Sequence, residues 1–181
     1  MTAQLAGRRF DDVTVDVRFG SDLWPEPDTV PGTELLEFAG IERLEIPTIA
    51  LEQHLAEKVH AYTRSYESGG STRVKDLVDL VLAEQLDTPQ GRRLMEALRR
   101  TFETRGMHAP PAALPPPPAE WLVAYRRLAA DIGLPAEGDE TLDDAYARAS
   151  SFLQPILDGT VAADAEWDPG MSKWRVREEQ S

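Results

Sequence analysis

The chain has 181 residues, 41% hydrophobic and 28% charged, which suits one folded domain or one and a half with an ample core. A formal net charge of -13 argues against a general nucleic-acid-binding surface, because phosphate contact depends on clustered Lys and Arg. Without cysteine and with three scattered histidines it offers no disulfide, thiolate or ready zinc site, so any metal should be a hard cation held by oxygen; lacking a charged-then-apolar leader and any apolar run near about 18 residues, it is expected to be cytoplasmic, with no membrane span.

From Asp12 to Phe19 the residues alternate, with Val13, Val15, Val17 and Phe19 on one side and Thr14, Asp16 and Arg18 on the other. That period predicts a half-buried β-strand with Asp16 on its polar face. Ser21 to Gly32, with Pro25, Pro27 and Pro31, reads as a loop. Glu34 to Phe38 fits a short strand or a turn before Gly40, and Leu44 to Ile49 reads as a second strand whose Pro47 suits an edge. Strands ahead of helices predict an α+β fold, with a small mixed sheet in the N-terminal part packed by a predominantly helical C-terminal part.

Leu51, Leu55, Val59 and Tyr62 recur at helical steps and predict a first helix; a polar break from Glu67 to Thr72 follows. Val74, Leu77, Val78, Val81 and Leu82 then trace a second helix. Asp76 falls opposite that stripe, but Leu80 shares its side, so the helix should be embedded between two layers. A carboxylate in that position needs a partner or a cleft. Asp76 and Asp79 are i,i+3 and repel unless a cation lies between them, with Lys58, Arg73 and Lys75 as candidates; Lys75 and Asp79, at i,i+4, can also pair along the surface. By itself such a charge pattern is common on solvated helix edges.

Thr88-Pro89 suggests an N-cap followed by proline at the first helical position, and Leu94, Met95, Leu98, Thr101, Phe102 and Arg105 carry a third helix to Gly106. Arg92, Arg93, Arg99, Arg100 and Arg105 crowd it, which allows a local positive cleft in an acidic body. The prolines of 108–118 predict a stiff, extended connector between a body over 8–107 and a helical region over 119–181. In that region Trp121, Leu122, Tyr125, Leu128, Ala129 and Ile132 predict a helix ending at Gly133. Leu142, Ala145, Tyr146, Ala149, Phe152, Leu153 and Ile156 predict another ending at Gly159, its last turn distorted by Pro155. Trp167-Asp168-Pro169-Gly170 is a turn signal for a short hairpin between Trp167 and Trp174 folded back on the helices, and Arg175 to Ser181 should fray. No internal repeat is evident.

Leu51-Glu52, Leu55-Ala56-Glu57-Lys58 and His60-Ala61 on one helix, then Arg73, Lys75-Asp76-Leu77 and Asp79-Leu80 on the next, resemble the C-terminal signature pair of the AbiEii/AbiGii family of nucleotidyltransferase toxins. These are the enzymatic halves of type IV toxin–antitoxin and phage-defence systems. Val15 to Gly20, Glu34 to Ile41 and Ile46 to Ile49 look like the segments leading into that pair, so the resemblance spans residues 8–84 and, more loosely, the helical remainder.

The resemblance implies a partial nucleotidyltransferase-like fold related to polymerase β, in which Mg²⁺ held by carboxylates clamps a nucleoside triphosphate and a nucleotidyl group passes to an RNA or protein hydroxyl. It implies Lys58 at the triphosphate, Asp76 as the late carboxylate taking the acceptor proton, Arg73 and Lys75 as supporting nucleotide contacts, and Asp16 as a metal carboxylate. An antitoxin protein is the implied partner.

The family also carries a Gly-Gly or Gly-Ser turn followed by an Asp-x-Asp on the next strand. Neither precedes Asp16: Gly7 stands alone, and the adjacent Asp11 and Asp12 would point to opposite faces of a strand. Gly20-Ser21-Asp22 comes after the Asp16 strand instead of before it. The expectation is therefore a toxin chain truncated at its N-terminus and active with the missing segment. One alternative is a non-catalytic remnant that binds a partner such as an antitoxin; another is an unrelated α+β scaffold whose Lys58, Asp76 and Asp79 satisfy one another.

Overall fold

In the computed structural model, residues 2–5, 7–12, 14, 26–34, 37–40, 42–64, 73–133 and 141–176 are described. Five helices follow two hairpins: α1 (Leu51–Thr63), α2 (Val74–Leu86), α3 (Gly91–Arg105), α4 (Leu122–Asp131) and α5 (Leu142–Leu157). α2 is the centre. Val74, Leu77, Val78 and Val81 are buried, and so are Leu80 and Ala83 on its other side, because α1, α4 and α5 all pack against it. The two-layer burial expected from Leu80 is what the helix shows. α1 turns Leu55, Val59 and Tyr62 inward and packs on α3, which offers Leu94, Leu98 and Phe102. Each such buried side chain contributes about 1.5–3 kcal/mol, which makes this cluster the main stabilising element.

Helices and strands together give the expected α+β class, and among the described residues the strands pair as three separate antiparallel hairpins. β1 (Thr2–Leu5) pairs with β2 (Arg8–Asp12) around Gly7, whose φ of 75° suits glycine. β3 (Asp28–Pro31) pairs with β4 (Glu45–Thr48), Val30 opposite Ile46. Prolines made residues 28–31 read as loop. In a two-stranded pair, however, each strand keeps one free edge, so Pro31 and Pro47 need not donate to the ladder. Between these strands Glu37–Ala39 form a 3-10 turn, the turn option for that stretch. The strand expected over Asp12 to Phe19 lies outside the described residues except for Asp12, which ends β2, and Thr14, which belongs to no strand. The polar break from Glu67 to Thr72 also lies outside them.

The third helix begins later than the Thr88-Pro89 signal suggests. Gln90 is the N-cap residue, and its N–H donates to the buried Glu52 Oε1 at 3.1 Å. Pro89 and Gln90 are held extended by the C-terminal hairpin: Trp167 N–H donates to the Pro89 carbonyl at 3.1 Å, and Gln90 bridges Glu166. The helix ends at Gly106 in the left-handed conformation, as expected.

The proline segment carries no helix or strand and runs along the core. Leu114 is buried in it, Tyr62 Oη donates to the Pro115 carbonyl at 2.8 Å, and Tyr146 Oη donates to the Leu114 carbonyl at 2.9 Å. One hydrophobic cluster includes residues from both sides of it. α5 opens on a capping box in which Asp144 N–H donates to Thr141 Oγ1 and Thr141 N–H donates to Asp144 Oδ2, and Pro155 sits inside its last turn.

β5 (Ala165–Asp168) and β6 (Lys173–Val176) form the expected hairpin, Trp167 facing Trp174. Their indoles donate to the carbonyls of Glu84 and Phe152, each at 2.8 Å, and both rings pack on Phe152. Arg175 and Val176 lie in β6 and so are ordered into the hairpin; 177–181 lie outside the described residues. No helix among the described residues is long and apolar enough to cross a membrane.

Candidate functional site

The crossing of α1 and α2 decides which cation reaches the two aspartates. Lys58 adjoins the buried Val59 and leans from α1 toward α2, where its Nζ lies 2.5 Å from Asp79 Oδ2 and 3.5 Å from Asp76 Oδ1. Arg73, at the start of α2, donates from Nη1 to the other oxygen, Asp76 Oδ2, at 3.0 Å. Asp76 is buried, its side chain 9% exposed, whereas Lys58 is 25% and Asp79 35% exposed. Two carboxylates one turn apart repel, and the ammonium between them removes that repulsion. Burial by itself lowers the lysine pKa, but the hydrogen bond and charge of Asp79, then the charge and bond of Asp76, outweigh it and hold the ammonium above its ordinary value.

Of the residues picked from the sequence, Lys58, Asp76 and Arg73 come together. Lys75 is exposed on α2, and Asp79 goes to Lys58 instead of pairing with it along the surface. Asp16 lies outside the described residues. The positive cleft expected from the α3 arginines does not form from Arg93, Arg99, Arg100 and Arg105, which are paired with Asp28, Glu52, Glu96, Glu103 and Glu57.

The Mg²⁺ that the resemblance implies would need oxygen ligands free to face it. Asp76 and Asp79 already face two cations, and among the described residues no three His, Asp or Glu side chains group to hold a metal. The described residues therefore bring no Mg²⁺ ligand set together by themselves.

Other buried polar groups escaped the sequence reading. Glu84 accepts from Arg148 Nε at 3.0 Å, from Arg148 Nη2 and from Ser172 Oγ at 3.1 Å, tying α2 to α5 and the hairpin. Its signal was position: it follows Leu77 by seven and Val81 by three, on the buried face. His60 packs on Phe102 and His108, with ring centroids 4.9 and 4.7 Å away, and its Nε2 is buried without a partner. Burial first, then the charges of His108, Arg105 and Arg64, lower its pKa. These groups brace the helices.

A sequence model of the family described as "Nucleotidyl transferase AbiEii toxin, Type IV TA system" matches residues 1–158. No curated protein matches the chain significantly.

Proposed function

The chain belongs to the AbiEii family of nucleotidyl transferase toxins of type IV toxin–antitoxin systems, and we propose that it binds a nucleoside triphosphate and transfers a nucleotidyl group to an acceptor hydroxyl, Lys58 meeting the triphosphate. The observation that carries this reading is the ammonium held between Asp76 and Asp79 across the α1–α2 crossing, with Arg73 beside it. In the reaction the acceptor oxygen bonds to the α-phosphorus, the bond from that phosphorus to the α,β-bridging oxygen breaks, and pyrophosphate leaves. Lys58 neutralises charge on the leaving phosphates, a stabilisation that acts through position. Asp76, whose Oδ1 lies 3.5 Å from the Lys58 ammonium, receives the acceptor proton in this reading. Arg73 and Lys75 are supporting nucleotide contacts in the same reading. Magnesium dependence, an RNA acceptor and an antitoxin partner belong to it too. The metal would rest on carboxylates other than Asp76 and Asp79, Asp16 among the candidates.

The test is incubation of the full chain with each α-labelled nucleoside triphosphate, Mg²⁺ and total RNA. Label is expected in the acceptor with the unaltered protein and reduced by about a hundredfold or more in Lys58→Ala. Label transfer that survives Lys58→Ala, or none to RNA or protein with any nucleotide, overturns the reading.

A further inference from the structure

Lys58 is nearest not to the buried aspartate but to the more exposed one: Asp79 at 2.5 Å, Asp76 at 3.5 Å. Asp76 has a second cation in Arg73, and together two cations and two carboxylates make a cluster whose charges formally cancel. An anionic ligand gains little from an ammonium already neutralised, so it must displace one carboxylate. The two differ in what displacement costs. Pulling the ammonium from Asp76 strips a partner from a carboxylate only 9% exposed, which is unfavourable in a poorly solvated place. At Asp79, 35% exposed, water takes over as the ion pair opens, and such pairs are weak.

We propose that Asp79 is a displaceable counter-ion for Lys58: it holds the ammonium in place before a ligand arrives and competes with the triphosphate for it afterwards, while Asp76 remains the buried anchor. The inference rests on the reading of Lys58 as the triphosphate contact. Asp79 acts through Lys58 and is a positioning residue. Its carboxylate sets a threshold on ligand affinity, so removing its charge strengthens phosphate binding, an outcome that mere structural damage does not produce.

The experiment is calorimetric titration of the full chain with inorganic tripolyphosphate. Asp79→Asn is expected to bind about two- to fivefold more tightly than the unaltered protein, Asp79→Glu about equally to it, and Lys58→Ala far more weakly. In the unaltered protein, independently of how the variants fold, the Asp79 carboxyl carbon resonance should shift on adding tripolyphosphate by more than that of Asp76. Asp79→Asn binding equally or more weakly, or an unmoved Asp79 resonance, overturns the inference while loss of binding in Lys58→Ala still upholds the reading of Lys58. If the unaltered protein does not bind tripolyphosphate, or Lys58→Ala binds as well as it does, that reading falls and takes this inference with it.

Discussion

His60 lies two positions beyond Lys58 on α1 and faces Phe102 and His108 instead of the aspartates. Its imidazole is buried and neutral, with Arg105 and Arg64 adding to the cost of a second charge and Glu57 partly offsetting it. The unfolded chain takes up this proton as pH falls through the ordinary histidine value, while the folded chain resists. Stability is therefore complete above that value and is lost progressively as pH falls below it. Urea midpoints followed by circular dichroism should drop between pH 7.5 and 5.5, and more shallowly in His60→Phe, which keeps a ring against Phe102; equal slopes would refute the assignment. At this scale the sequence showed that Asp76 and Asp79 need a cation but not which one. Lys75 satisfies the local i,i+4 rule and Lys58 does not, yet Lys58 wins because the helix crossing brings it within bonding distance of both carboxylates.

Helix boundaries show how local signals and tertiary contacts compete. Thr141 with Asp144 spells a capping box that lies wholly within α5's first turn, and α5 begins there. Thr88-Pro89 spells an equally good start for α3 that is not used, since the C-terminal hairpin and Glu52 hold Pro89 and Gln90 extended. At Gly91 the segment leading from α5 into β5 comes close: a Cβ there would meet the carbonyl oxygens of Ala162 at 3.0 Å and Ala165 at 3.2 Å. Alanine is the better helix former by roughly 1 kcal/mol, but both carbonyls would have to give by a few tenths of an ångström, and backbone gives less readily than a flexible side chain. Gly91→Ala should therefore be a net loss of about 1 kcal/mol, read as a lower thermal midpoint. A higher midpoint would mean that the carbonyls give way easily.

For the whole molecule the C-terminal hairpin closes the helical core. Trp167 is buried, bonds the Glu84 carbonyl on α2, and packs 4.7 Å from the Phe152 ring of α5. Trp167→Ala should cost about 3–5 kcal/mol in denaturant unfolding; a cost below about 1 kcal/mol would show the hairpin to be an appendage. The sequence by itself determined the five helices, the hairpin at the tryptophans, the helix-ending glycines and the helix pair that carries Lys58 and Asp76. Those features follow from periodicity and capping, which act between neighbours a few positions apart. Only the tertiary structure decided which helices cover the two faces of α2, that the proline segment packs on the core, and that Asp79 rather than Asp76 holds Lys58 most closely. Each of these depends on how helices distant in the chain cross, and crossing geometry comes from the packing of whole faces, which no short stretch of residues encodes.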